Sequence, residues 1–506
     1  MVKEKKVVLY NPRPNPNLRP VDIPLALLSV SKILDKEGYE IKIISENLYH
    51  QHFKEALNHC SGAICFGVTA MTGYQIIDGL KISKLLKHQY PELPIVWGGW
   101  HPSLESVQTV SHPAVDIVVK GQGERTFTEL VHALEDGLAL DNILGITYKE
   151  KERVVNNSDR RLENINNFPP IPYHLVDIEK CLFATEFGDR TTNYVSSQGC
   201  PYRCGFCCEQ TVNKRAWTGL NVQRVVDDIE RLVSQYGVNG LSINDSSFFV
   251  NKERVRKICQ EIIRRKIKIK WGNVNGRTRQ LTQYDDELWR LLEESGCYSI
   301  LTGAESGYQP ALDLIHKDIL VKDNIEFGRK CSHYHIKVVY SFLTGLPWPK
   351  RNIKEIKEMT DKEIESSLDL IDKLLAMDTR HRALLFNYTP YPGTPLYQKS
   401  LDLGLKPPSN LEGWGKFTLY QSQTPWVTSK QEKFIKFLSS YVFFFLDSDT
   451  CDWVSLRIPN RHFRQLFIFI FRSFAAICKF RWRHRFFKLR FDYWVLLLFK
   501  KFNKWV

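Results

Sequence analysis

The sequence predicts an α/β protein: a doubly wound open sheet, then a partial parallel barrel of (β/α)6 type, then a helical basic aromatic tail. Three observations predict it. Short β-rich runs alternate with helical patterns through the first 150 residues. The alternation resumes from Thr192 for six more units. The last 46 of the 506 residues differ in kind, holding fifteen Phe, Trp or Tyr among twelve Lys or Arg.

Within residues 1–150, Val7–Tyr10, Ile41–Ile44, Ala63–Val68, Ile95–Trp97 and Ile117–Val119 read as buried parallel strands. Pro24–Glu37, Ile76–His88 and Arg125–Asp136 carry helical spacing between them. Ligands of such Rossmann-like or flavodoxin-like sheets lie past the carboxyl ends of the strands. Here those ends hold Asn11, Thr69, Gly98-Gly99-Trp100-His101 and Gly121-Gln122-Gly123-Glu124, and their glycines admit a large ligand closely. Residues 151–190, with the turn-rich NNFPPIPY, read as a connector. Residues 191–405 supply the barrel strands: Tyr194–Ser197, Gly240–Asn244, Lys268–Asn273, Ser299–Gly303, Lys337–Leu343 and Ala383–Tyr388. Residues 406–506 form the C-terminal region.

Composition bounds the function. The chain is too long for one ordinary core. Its 43% apolar and 25% charged residues are those of a globular protein. Of the net charge of +14, the tail from residue 461 carries +11, so the body is nearly neutral and reads as no nucleic-acid binder. The N-terminal MVKEKKVVLYNP reads as a first strand rather than a signal peptide. Twelve cysteines without a disulfide rhythm fit a reducing cytoplasm.

The chemistry concentrates in SSQGCPYRCGFCCEQ, where Cys200, Cys204 and Cys207 are spaced C-x3-C-x2-C directly after an expected strand. Thiolates are the usual ligands of iron–sulfur clusters, and three of them leave one iron of a 4Fe-4S cluster open. A zinc site is the rival and needs a fourth ligand, which Cys208, adjacent to Cys207, is poorly placed to supply.

This segment resembles the radical S-adenosylmethionine (radical SAM) enzymes, whose three-cysteine signature carries an aromatic residue where Phe206 stands. The resemblance implies that S-adenosylmethionine chelates the open iron and is cleaved by one electron to a 5′-deoxyadenosyl radical. Gly303-Ala304-Glu305-Ser306-Gly307 is similar to the family's GxESG turn beside the cofactor. Gly345-Leu346-Pro347 and the segment YPGTPLY at 391–397 also match family motifs. Asn244, Asp245, Asn275 and Arg277 fall where the family positions substrate and cofactor, although Asp245 can equally be a helix N-cap and Arg277 a surface ion-pair partner.

An open α/β domain ahead of such a barrel resembles the cobalamin-binding branch of the family, which includes methylases of unactivated carbon and the anaerobic magnesium-protoporphyrin ester cyclase. GGWHPS at 98–103 and GQGERTF at 121–127 are similar to its recurring loops. The resemblance covers residues 5–400 and implies that Asn11, Thr69, Gly98, Gly99, His101, Gly123 and Glu124 lie on the corrin side. The D-x-H-x-x-G string that ligates cobalt elsewhere is absent, so His101 reads as a loop or packing residue rather than a cobalt ligand.

In the tail, helical spacing puts Phe463, Phe467, Phe471 and Phe474 on one side. Arg481, Arg485 and Lys488 form a stripe beside Trp482, Phe486 and Leu489. The apolar stretch Tyr493–Phe499 is too short to span a bilayer. Such a segment fits a membrane surface or a cap on the barrel better than single-stranded nucleic acid.

The expectation is therefore a cobalamin-dependent radical SAM enzyme that methylates an unactivated carbon of a small, apolar, lipid or isoprenoid substrate. Its electron donor is expected to be a flavodoxin or ferredoxin, and its place the cytoplasm, peripheral to the inner face of the membrane. Oxidative cyclisation or carbon–carbon coupling without methyl transfer is the alternative reaction. An iron–sulfur electron carrier or sensor, or a cobalamin module with an inactive barrel, are the alternative classes.

Overall fold

The computed structural model describes residues 5–17, 20–349, 352–417, 424–447, 451, 454–455, 458 and 460–502, with side chains to Leu497. Leu498 and Phe499, the end of the apolar stretch in the tail, therefore have side chains outside the described residues.

The N-terminal sheet contains β1 (Lys6–Asn11), β2 (Glu40–Ser45), β3 (Cys65–Thr69), β4 (Ile95–Gly98), β5 (Ile117–Val119), β6 (Ile146–Glu150) and β7 (Arg153–Asn156). Their order is 2-1-3-4-5-6-7. The first five pair in parallel and the last two close the edge antiparallel. Val7, Val8, Phe66, Ile95 and Trp97 are fully or almost fully buried, as continuous apolar strands require when both sheet faces are covered. The helices Leu25–Lys36, Tyr74–Gln89 and Gly123–Asp136 fall where the spacing places them. Trp97 anchors one of them by donating its indole N–H to Ser83 at 3.2 Å.

After three short turns the chain forms β8 (Phe183–Thr185), β9 (Gly188–Tyr194), β10 (Ser197–Gly199), β11 (Trp217–Gly219), β12 (Gly240–Ile243), β13 (Lys270–Gly272), β14 (Val274–Gly276), β15 (Ser299–Glu305), β16 (Lys337–Thr344) and β17 (Arg382–Asn387). Five of the six strands expected after residue 191 have counterparts in β12, β13, β15, β16 and β17; in place of the first, expected at Tyr194–Ser197, β9 ends at Tyr194 and β10 begins at Ser197. The helix Val222–Tyr236 starts on an Asn221 side-chain cap and stops at left-handed Gly237.

The chain divides into two compact units. The first holds residues up to Ala184, Gly188–Asn275 and Pro390–Thr418, and so contains the N-terminal sheet, the parallel set β9-β12-β13 and the antiparallel ribbon β10–β11. The second holds Thr185–Phe187, Gly276–Thr389 and residues from Leu419 on, and contains the parallel set β15-β16-β17.

Within the second unit the tail forms helices Arg461–Arg483 and Phe491–Phe502, and among the described residues no helix is long and apolar enough to cross a membrane. Phe463, Phe467, Phe471 and Phe474 share one side of the first of these helices, as the spacing places them, with Phe471 buried and Phe463 67% exposed. One expectation changes here. Arg481, Arg485 and Lys488 form no stripe, because the helix ends at Arg483 and both Arg485 and Leu489 take left-handed backbone angles. Arg481 is instead buried in an ion pair with Asp492, and Arg485 pairs with Asp369.

Candidate functional site

The ribbon β10–β11 clamps the two ends of the cysteine segment. Between them, Cys200, Cys204 and Cys207 are half-buried. The loop is tied down by bonds that use no thiol. Leu396 N donates to the Gly205 carbonyl at 3.0 Å and Thr211 Oγ1 to the Gly393 carbonyl at 2.9 Å, so the YPGTPLY segment braces the loop. Gln210 Nε2 caps the Cys204 carbonyl at 2.6 Å.

Behind the loop, Asp245 is fully buried. Its carboxylate accepts from Ser196 N at 2.6 Å, Ser196 Oγ at 2.7 Å and Ser197 Oγ at 2.5 Å. Arg254 donates to Ser196 O at 2.9 Å and to Leu220 O at 2.7 Å, and its charge offsets the burial that raises the Asp245 carboxyl.

The thiols suit a multi-iron cluster. Burial pushes Cys200 up to about 11, and the nearby Cys207 and Cys204 thiols add to it. Cys207 is raised by its hydrogen bond with Cys208 and by burial. Thiols so placed become thiolates only against a strong positive centre. Among the described residues, no three His, Cys, Asp or Glu side chains gather closely enough for a single metal ion.

A cavity of about 390 Å³ lies in the first unit. One wall is the ends of the N-terminal strands: Gly67 and Thr69 of β3, Gly98 ending β4 with Gly99 after it, and Gly121 and Gly123 after β5. The opposite wall carries Gln198 and Gly199 of the ribbon that closes the cysteine loop, with Asn244 after β12. Gly99 has φ 96°, and a Cβ there would meet the Ala70 backbone at 2.9 Å. The side-chain-free cradle, backed by Leu25, Val30 and Phe127, fits a large flat macrocycle. Glu124, 2% exposed, accepts from Ser29 Oγ at 2.8 Å and Gln198 Nε2 at 3.2 Å, and lies 3.8 Å from Lys32 Nζ. Burial lowers the Lys32 ammonium, and Glu124 partly restores it.

In the second unit, the GAESG segment ends β15 at a bulge between Gly303 and Glu305. Glu305 has φ 60° and its buried carboxylate accepts from Lys317 Nζ at 2.7 Å. Gly345 gives its carbonyl to Trp426 Nε1 at 2.9 Å.

A model of the B12 binding domain matches residues 20–131, and one of the radical SAM superfamily matches residues 194–361. The chain is a radical SAM enzyme with a B12-binding domain. Its cofactors are a 4Fe-4S cluster, S-adenosylmethionine and cobalamin. An uncharacterized methyltransferase of Pyrococcus horikoshii is 28% identical over 84% of this chain and 88% of its own. The anaerobic magnesium-protoporphyrin IX monomethyl ester cyclase of Cereibacter sphaeroides is 26% identical over 73% of this chain and 59% of its own. Hopanoid C-3 methylase of Methylococcus capsulatus is 21% identical over 73% and 67%. Two solved structures share the fold. The radical S-adenosylmethionine methyltransferase TsrM of Kitasatospora setae has a TM-score of 0.64 at 20% identity, covering 79% of this chain and 77% of that one. The cobalamin-dependent radical enzyme OxsB has a TM-score of 0.67 at 18% identity, covering 95% and 72%.

In this radical SAM enzyme, Thr69, Gly98, Gly99, Gly123, Glu124 and Asn244 line the cavity. Phe206 sits half-buried within the cysteine loop. Asn11 ends β1 and does not line the cavity. His101 does not line it either. It is fully buried, meets Thr72 Oγ1 at 3.0 Å, and packs on Trp414 with ring centroids 5.5 Å apart. Burial lowers it to about 4, so it stays neutral and structural. Asp245 points into the serine network rather than the cavity. Arg277, Glu305 and Gly345 belong to the second unit, where Arg277 leads into the short helix Thr278–Leu281. The cavity residues Lys32, Gln198 and Gly67 carry no motif, since their partners lie far along the chain.

Proposed function

We propose that this enzyme methylates an unactivated carbon of an apolar substrate held in the first-unit cavity. The observation that carries the reading is that one cavity is walled both by the B12-domain strand ends and by residues adjoining the cysteine loop. A group transferred between two cofactors needs such a shared chamber. When bound, the cluster and S-adenosylmethionine supply a hydrogen-abstracting 5′-deoxyadenosyl radical, and cobalamin supplies the methyl group.

The chain's own residues do the rest. Cys200, Cys204 and Cys207 would hold the cluster, and Asp245 with Ser196 and Ser197 steadies the segment that leads into their loop. Gly98, Gly99 and Gly123 would admit the corrin, and Thr69, Glu124 and Asn244 line the same cavity. Leu25, Val30 and Phe127 give the cavity an apolar back that excludes water. Phe206, Arg277, Glu305 and Gly345 border S-adenosylmethionine in this reading, and the domains divide at about residues 150, 190 and 405.

A lipid or isoprenoid substrate, reduction by a flavodoxin or ferredoxin, and peripheral contact of the tail with the membrane's inner face complete it. The hopanoid methylase relative supports the lipid class. The similarity to the cyclase supports a second reading, ring formation without methyl transfer.

The test is anaerobic reconstitution with reductant, S-adenosylmethionine and cobalamin, followed by mass spectrometry beside a Cys204→Ala control. Both 5′-deoxyadenosine and S-adenosylhomocysteine are expected, with 5′-deoxyadenosine lost in the control. 5′-Deoxyadenosine without S-adenosylhomocysteine would favour the second reading. Neither product from a cluster-loaded protein given membrane extract would sink both.

A further inference from the structure

The tail was expected either to cap the body or to touch a membrane, and its main helix is built to do both. At 100° per residue, Arg461–Arg483 divides into three faces. Phe471, Cys478, Arg481 and Trp482 are buried against the second unit, where Trp482 Nε1 donates to Asp372 at 2.9 Å and Phe471 packs on Phe445 at 4.9 Å between ring centroids. Leu466, Phe469, Ile470, Ile477 and Phe480 fall within an arc of about 100° on another side. All five are exposed, Phe469 by 70% and Phe480 by 57%. Between these faces, Arg461, Arg472, Lys479 and Arg483 fall within about 40° and are exposed too.

The following helix adds exposed Phe491 and Trp494, at 74% and 64%. The tail's one carboxylate, Asp492, is withdrawn from the surface by Arg481 and by Tyr441 Oη at 2.6 Å. The exposed side therefore presents aromatic and aliphatic groups edged by uncompensated positive charge.

We propose that this face is an interfacial docking surface for an anionic lipid bilayer, with the main helix lying in the membrane plane. Aromatic side chains enter the acyl boundary while the cationic row meets lipid phosphates. The charge row selects lipid over a second copy of this chain, because a two-fold contact would set the two like-charged rows against each other. The assignment rests on the membrane-contact part of the functional reading and not on its chemistry, so its failure would leave methyl transfer standing.

The experiment is flotation of the full-length holoenzyme with phosphatidylcholine vesicles, with or without phosphatidylglycerol. The protein is expected to float with the anionic vesicles and to release at high salt. Phe469→Glu with Phe480→Glu should lower the partition coefficient at least about tenfold. Arg472→Glu with Lys479→Glu should erase the preference for phosphatidylglycerol. Circular dichroism and unchanged 5′-deoxyadenosine formation in solution show that each variant is folded. Wild-type protein that stays at the bottom of the gradient with anionic vesicles would overturn the proposal. So would a dimer in light scattering that the Phe469→Glu, Phe480→Glu pair dissociates, which would assign the face to a second copy.

Discussion

Gly307 donates its backbone N–H to the Ser367 hydroxyl at 3.0 Å, which seats the GAESG turn on the helix Ile353–Leu375. A Cβ at Gly307 would fall 2.0 Å from the Ser366 carbonyl oxygen, so turn and helix touch backbone to backbone. Gly307→Ala must push the two apart and should weaken S-adenosylmethionine binding at least tenfold by calorimetry. Ser367→Ala leaves that backbone contact and removes the bonds from Gly307 N and with Ser306 Oγ, at about 1 kcal/mol of stability each.

One turn earlier on that helix, Glu363 is fully buried, and burial raises its carboxyl to about 8. The Trp348 indole and the Gly345 and Leu346 amides face it and temper the shift without closing a hydrogen bond. The folded protein therefore keeps a proton that the unfolded chain releases near pH 4.5. Glu363's contribution to stability should be fully present below that pH, fall away as pH rises towards about 8, and then level. Glu363→Gln should flatten this slope in thermal unfolding curves. An unchanged slope would rule Glu363 out as its source.

Asp245→Asn leaves Arg254 buried without its counter-charge and weakens the bonds to Ser196 and Ser197. A loss of roughly 3 kcal/mol is expected. Because this network backs the cysteine loop, iron per chain after reconstitution should fall while corrin per chain holds.

The converse dissection uses Gly99. Gly99→Ala puts a Cβ against the Ala70 backbone at a left-handed φ. Corrin absorbance per chain should drop, with iron content unchanged. Parallel loss of both would mean that the two cofactor sites do not load independently.

Arg481 gives its guanidinium to Asp492 and to the carbonyls of Phe486 at 3.0 Å, Lys488 at 2.9 Å and Leu489 at 2.7 Å. Arg481→Met leaves these acceptors and Asp492 without their donor. Residues 484–497 should then lose hydrogen-exchange protection by about two orders of magnitude, since breaking such a pair costs roughly 3 kcal/mol.

What the sequence discloses follows from range. The N-terminal parallel strands are legible as short runs rich in Val and Ile, whereas parallel β9, GDRTTNY, has neither. The cysteines are legible because all three lie within eight residues. The edge hairpin Ile146–Glu150 and Arg153–Asn156 hides in polar alternation around left-handed Lys151, and the helix His52–His59 is too short to announce itself. Gly307–Ser367, Glu124–Gln198 and Asp245–Ser196 are pairs that only folding brings together. Helical spacing finds the tail helix but not its stop, because Arg485 and Leu489 turn left-handed without being glycine.

The bonds from Leu396, Thr211 and Gln210 to the carbonyls of Gly205, Gly393 and Cys204 shape the cysteine loop without any sulfur. A zinc finger needs its metal in order to fold, whereas a loop framed in this way can be finished before iron arrives. In the cell, iron–sulfur biogenesis would then deliver to a completed receptacle, and a shortage of iron would leave a stock of dormant protein that a later supply could activate without new synthesis.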